Sequence, residues 1–263
     1  MIEVSDLSVK LSGKPIINNI SLKAYPGRIS AIVGPNGSGK TTLMRALTGE
    51  LTYTGKAQLC GRDIKSLSSG EQSKMRGVLP QIATMAFPFT VSEVVSLGQA
   101  NLETAQNAEQ KNQAISDALL RVGLQGFRRR LYTELSGGEK QRVQLARVLC
   151  QVGNATGKNG PKWLFLDEPV SSLDIRHQLQ IMNVSREFAK AGGGVIAVLH
   201  DLNLTAMFAD LVFMMNAGAI GDFGAPGEVF TSNNVTKIFD CSLKVNKIPD
   251  DNTPFVLPHS ASH

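Results

Sequence analysis

The sequence predicts an α/β protein, with a helix-covered parallel sheet, a small antiparallel β subdomain and an inserted helical subdomain. Three observations carry that prediction. The runs Ile29-Ser30-Ala31-Ile32-Val33, Trp163-Leu164-Phe165-Leu166 and Gly194-Val195-Ile196-Ala197-Val198-Leu199 are short and nearly continuously apolar, as strands buried on both faces require. The opening residues alternate in twos instead, the pattern of a half-exposed sheet. Residues 87–160 are polar and helical in period, an insertion of about 70 residues, the size of a small domain.

Taken in order, Ile2, Val4, Leu7, Val9 and Leu11 form one strand, and Ile20-Ser21-Leu22-Lys23-Ala24 a second that ends at the Pro26-Gly27 turn. A buried strand then runs into a glycine-rich loop. The stretch 56–60 alternates again and is expected to pair with the opening strands. Ile115, Ala118, Leu119 and Val122 recur at helix spacing. Asn216-Ala217-Gly218 joins two strand-like segments as a hairpin, and 249–263, with Pro249, Pro254 and Pro258, is expected to trail over the surface.

Composition narrows the class. With 263 residues, 42% hydrophobic and 19% charged, the chain can bury a sizeable core and is not disordered. No run of about 18 apolar residues offers a membrane span. The first residues lack the basic and apolar blocks of a secretory signal. Cys60, Cys150 and Cys241 have no metal-ligand rhythm and read as reduced packing thiols. The net charge of +5 raises the question of nucleic acid, but Arg128-Arg129-Arg130 is the one tight basic run and no aromatic residues interleave it. No nucleic-acid partner is expected.

Gly34-Pro35-Asn36-Gly37-Ser38-Gly39-Lys40-Thr41, followed by Thr42, fits the phosphate-binding loop G-x-x-x-x-G-K-[ST]. Glycines let the backbone wrap phosphate oxygens with its N–H groups pointing inward, Lys40 supplies a point charge, and the Thr41 hydroxyl completes a magnesium shell. The loop lies between a strand and a helix stopped by Gly49, and the helix N-terminus faces the phosphates. Asp167 and Glu168 end the strand 163–166 at the sheet edge where such proteins bind ligands. Asp167 is placed to hold the magnesium ion, and Glu168 to polarise a water for attack on the γ-phosphate. In Leu135-Ser136-Gly137-Gly138-Glu139-Lys140-Gln141-Arg142, Ser136 and Glu139 have capping-box spacing for a helix to about Gln151. Two glycines weaken that helix start, but they let a bulky anion reach its N–H groups.

This last segment, beside the phosphate loop and the Asp-Glu pair, resembles the signature of ABC-type ATPases, and the likeness extends over about residues 1–230. The resemblance implies a P-loop NTPase (RecA-like) core. It divides the chain into an ATPase domain over 1–230 and a C-terminal extension over 231–263. Within the ATPase domain, 1–86 and 161–230 form the core with the antiparallel subdomain, and 87–160 the helical subdomain. It implies that Gln81 is a magnesium ligand that senses the membrane partner, that Ser171-Ser172-Leu173-Asp174 is the D-loop, and that His200 contacts the γ-phosphate. It implies ATP and Mg2+ as ligands, with Ser136, Gly137, Gly138 and Glu139 closing over an ATP held by the Lys40 loop of a second copy, head to tail. Leu11 stands where many relatives stack an aromatic residue on adenine, which relaxes the expected base selectivity.

The segments 87–98, 174–178 and 198–204 are similar to those of importers for ferric siderophores, cobalamin and haem. The inserted loop 153–160 is most like that of haemin importers. The expected partners are a multi-span permease dimer and, indirectly, a periplasmic substrate-binding protein. The expected location is peripheral, on the cytoplasmic face of the inner membrane. The alternatives are a siderophore or cobalamin importer, or a soluble ABC ATPase of iron–sulfur assembly.

Overall fold

The structure, a computed structural model, describes residues 1–81, 85, 87–99, 107–158, 160–249 and 253–260. Asn159 of the inserted loop, and residues 250–252 and 261–263 of the tail, His263 included, lie outside the described residues.

The chain begins with an antiparallel pair, β1 (Ile2–Leu11) and β2 (Lys14–Ala24), with Ile2 opposite Ala24 and Leu11 opposite Lys14. A register shift between Val4 and Leu7, with Asp6 at φ 54°, keeps Val4, Leu7 and Val9 all facing inward despite the odd spacing. The fully buried β3 (Ile29–Val33) leads through the phosphate loop to α1 (Lys40–Leu47). β4 (Thr54–Leu59) returns to pair with β1, and β5 (Arg62–Asp63) closes that sheet in the order β2-β1-β4-β5. α2 (Ser69–Met75), started by a Ser68–Glu71 capping box, and β6 (Arg76–Leu79) follow. α3 (Val91–Ser96), α4 (Ala108–Arg121) and α5 (Gly137–Val152) occupy the polar helical stretch. A short pair, β7 (Thr156–Gly157) and β8 (Gly160–Pro161), then precedes β9 (Trp163–Asp167). The chain continues with α6 (Ile175–Lys190), β10 (Gly194–Val198), α7 (Leu202–Phe208), β11 (Leu211–Asn216), β12 (Ala219–Gly224), α8 (Pro226–Val229) and α9 (Ser232–Phe239).

The central sheet runs β12-β11-β3-β10-β9-β6, parallel except for β12. Side-chain alternation divides its residues between two cores. Ile29, Ala31, Val33, Leu164 and Leu166 face α3–α6, while Ile32, Trp163 and Phe165 face α1 and the antiparallel sheet.

One expectation, the packing of Cys241, needs correction, and several features add to the sequence reading. The edge strand β6 was not legible: Arg-Gly-Val-Leu is too short for a periodic signal. At the end of the inserted loop, Thr156–Gly157 pairs antiparallel with Gly160–Pro161. Ahead of the 249–263 stretch the chain is still packed: Val235 and Ile238 of α9 are buried, and the Val245 N–H donates to Ser232 Oγ at 2.9 Å, whereas Phe255, Val256 and Leu257 are exposed. Cys150 is buried and Cys60 half-buried, but Cys241 is exposed rather than packed in the core.

Gly194 faces Trp163 across β10 and β9, and an added Cβ would lie 2.5 Å from the indole ring. Gly194→Ala is expected to destabilise the fold by about 1–3 kcal/mol through overpacking. Thermal denaturation checks this: the melting temperature should fall by several degrees while the KM for ATP stays unchanged.

Candidate functional site

Every strand that feeds the site ends on one edge of the central sheet. The phosphate loop follows β3, Gln81 lies two residues past β6, Asp167 ends β9, and His200 lies two residues past β10. These strands are parallel, so their carboxyl ends converge.

The loop is shaped by contacts with elements distant in sequence. A Cβ on Gly34 (φ 154°) would lie 2.1 Å from the Met215 carbonyl oxygen, and one on Gly39 (φ 99°) 2.6 Å from Ile17 Cδ1. Only glycine fits between loop and support at these two positions. The Gly218 N–H donates to the Ser38 carbonyl at 3.0 Å, so the β11–β12 turn braces the loop from behind. The sequence marked that turn as a hairpin but gave no sign of its role, because the contact is entirely tertiary.

Lys40 is buried, and its ammonium donates to the Gly34 and Pro35 carbonyls, both at 2.9 Å. Burial pushes its pKa below the ordinary lysine range, opposed by the charges of Glu168 and Asp167. The Ser38 hydroxyl is buried within the loop with no hydrogen-bond partner. Lys40, Thr41 and Thr42 form the first turn of α1, where backbone N–H groups have no partner within the helix. Gly37 faces open space on the outer side of the loop.

Thr41 Oγ1 donates to Asp167 Oδ1 at 3.4 Å. Burial raises the Asp167 pKa above its ordinary value. Among the described residues no group of three or more His, Cys, Asp or Glu gathers into a metal cage. One buried carboxylate beside one hydroxyl is the donor set of a magnesium ion that takes its remaining oxygens from phosphate and water. The residues therefore fit Mg2+. Gln81 is exposed, and among the described residues no hydrogen bond links it to Thr41 or Asp167.

Glu168 sits at φ 52°, a left-handed conformation that is unusual for a non-glycine residue. His200 Nε2 lies 2.6 Å from its Oε1, an ion pair when the imidazole is protonated. The second cluster lies at the start of α5. Ser136 Oγ accepts the Glu139 N–H at 3.3 Å, and the Glu139 carboxylate accepts the Ser136 N–H at 2.8 Å. That bond, with Arg130 at 3.6 Å, holds the Glu139 carboxyl below the usual range. Glu139 is thus engaged in capping its own helix, while an added Cβ on Gly137 would meet nothing within 4 Å. Leu11, at the end of β1, is exposed.

A phosphate loop at a parallel sheet edge, an adjacent Asp-Glu pair and a capped glycine turn on an inserted helix define a nucleotide-hydrolysing P-loop ATPase. The family model described as ABC transporter matches residues 17–171, and the chain belongs to that family. It is an ATP-binding subunit whose hydrolysis is coupled to transport. The Hemin import ATP-binding protein HmuV of Mesorhizobium japonicum is 52% identical over 261 residues, covering 99% of each chain. That of Rhizobium meliloti is 52% identical over 263 residues, covering 100% of each. Among solved structures, a dimeric ATP-binding cassette bound to ADP and Pi matches with a TM-score of 0.76 at 22% identity, over 86% of this chain and 99% of that one, a likeness of fold.

The buried Asp167 carboxylate generates a stability prediction. Its native pKa lies above the unfolded value of about 3.8, so ionising it costs stability as pH rises through the native pKa. Asp167→Asn should therefore raise the melting temperature of the nucleotide-free protein at pH 7, and the gain should vanish as pH approaches about 3.8. Melting curves across pH test this; a lower melting temperature at pH 7 would refute it.

Proposed function

We propose that this chain energises haemin import, working as a head-to-tail pair beneath a multi-span membrane permease. The observation that supports this reading is its likeness, over essentially the full length, to the two hemin import ATP-binding proteins. The cargo passes through the permease and never touches this subunit, and a periplasmic substrate-binding protein acts on it only indirectly. The subunit docks peripherally on the cytoplasmic face of the inner membrane; no described helix is long and apolar enough to cross a membrane. Phe87, exposed with its ring 6.0 Å from that of Phe89, stands on the 87–98 segment that meets the permease.

In the proposed mechanism Gly34, Pro35, Asn36, Gly37, Ser38 and Gly39 wrap the phosphates. The Lys40 ammonium exchanges its carbonyl partners for the β- and γ-phosphate oxygens, and the Thr41 and Thr42 N–H groups add the α1 N-terminus. Thr41, Asp167 and Gln81 would hold Mg2+, which when bound neutralises charge on the phosphates. Glu168 polarises the attacking water, and His200 reaches the γ-phosphate from beside that carboxylate. Ser136, Gly137 and Gly138 close over the nucleotide of the partner, while Glu139 keeps their turn in shape. ATP favours the closed pair because it touches both copies, and losing the γ-phosphate removes those contacts.

Glu168→Gln should bind ATP normally, accumulate as an ATP-bound dimer and lose at least about 100-fold in turnover. Near-normal hydrolysis would rule out Glu168 as the base. Lys40→Ala and Ser136→Arg subunits, each inactive alone, should regain up to half the wild-type activity when mixed, because one composite site is then intact. Full activity of either variant alone would overturn the shared site. For cargo, ATP-dependent uptake into vesicles holding the native permease should be seen with haem and not with a ferric siderophore or cobalamin.

A further inference from the structure

The backbone of Glu168 is held by a residue to which neither the phosphate loop nor the glycine turn assigns a part. Gln141 stands on α5, five residues beyond Ser136, and its Nε2 donates to the Glu168 main-chain carbonyl at 2.7 Å. Its Oε1 accepts the Ser172 hydroxyl at 2.5 Å. Only one orientation of the side-chain amide satisfies both bonds, since the flipped form would set oxygen against the carbonyl. Residue 169 is proline, so the peptide following Glu168 has no N–H. Its orientation rests on the carbonyl, which the Ser171 hydroxyl also reaches at 3.2 Å. Glu168 itself sits at the left-handed φ of 52°, a conformation that persists only where its surroundings impose it. The start of α5 also packs on the 171–174 loop, for a Cβ on Gly138 would lie 3.0 Å from both the Ser172 carbonyl oxygen and Leu173 Cδ2. Direct contacts therefore join the glycine turn, the 171–174 loop and the strained Glu168.

We infer that Gln141 is a positioning residue: it fixes the Glu168 backbone and so aims its carboxylate at the attacking water. A consequence rests on the head-to-tail reading proposed above. The glycine turn that closes on the partner's ATP is joined through Gln141 to the base of its own nucleotide site, so engagement at one site organises the other. Hydrolysis then depends cooperatively on ATP through this side chain.

Steady-state hydrolysis by full-length wild type and Gln141→Met tests both statements. The variant should lose about 10- to 100-fold in kcat, as expected of a misplaced catalytic group, with the KM for ATP within about twofold of wild type. Any Hill coefficient above one should fall towards one. Adding Gln141→Met to Glu168→Gln should reduce the residual rate no further, because the group it positions is already gone. An unchanged kcat, a parallel loss of ATP affinity, or an equal further loss in the Glu168→Gln background would overturn the inference. If Gln141→Met fails to fold, Gln141→Glu, which keeps the volume and removes the donor, is held to the same outcomes. The two readings fail separately. Absence of an ATP-bound dimer in Glu168→Gln alone counts against the shared site, whereas a normal dimer with unaltered Gln141→Met turnover counts against Gln141.

Discussion

Lys40 imposes the constraint on which the site depends. A lysine ammonium taken out of water needs compensating oxygens, and here the Gly34 and Pro35 carbonyls provide them at 2.9 Å. To present those carbonyls the loop must curl back on itself, and that curl is possible only with glycine against the Met215 carbonyl and Ile17. The same curl leaves the Ser38 hydroxyl buried without a partner and leads directly into the first turn of α1. The loop is thus organised around a buried charge held by two of its own carbonyl oxygens.

The carboxylates beside it carry a cost of the opposite sign. Asp167 is buried with a raised pKa, and Glu168 is held in a left-handed conformation next to His200. Neither arrangement favours the free protein. A ligand bound at this edge of the sheet adds to the stability of the fold by mass action. The molecule keeps the strain where it is useful because the surrounding frame is insensitive to it. The strands beneath are buried on both faces and paired along their length, with a separate core on each side.

The helical arm and the catalytic edge are also mechanically continuous. Gln141, Ser172 and the Glu168 carbonyl form a chain of hydrogen bonds from the start of α5 to the end of β9. The path is short, with two hydrogen bonds made by one side-chain amide.

How much of this was legible in the sequence follows from the range of each interaction. Local pattern alone fixed the strands β1, β3, β9 and β10, the phosphate loop, the capped start of α5 and the residues of the Asp-Glu pair, because periodicity, glycine placement and capping spacing act over a few positions. The bulge at Asp6, the edge strand β6, the bracing of Ser38 by Gly218 and the buried helix α9 were decided by the folded molecule. In each case the stabilising partner lies far along the chain: Ser21 and Ile20 for the bulge, β9 for β6, the core for α9. Convergence of Lys40, Asp167, Glu168 and His200 belongs to the same class. The residues were visible one by one, but what brings them to one edge is the parallel order of strands, and sheet order is set by packing energy summed over the whole core rather than by any segment of the chain.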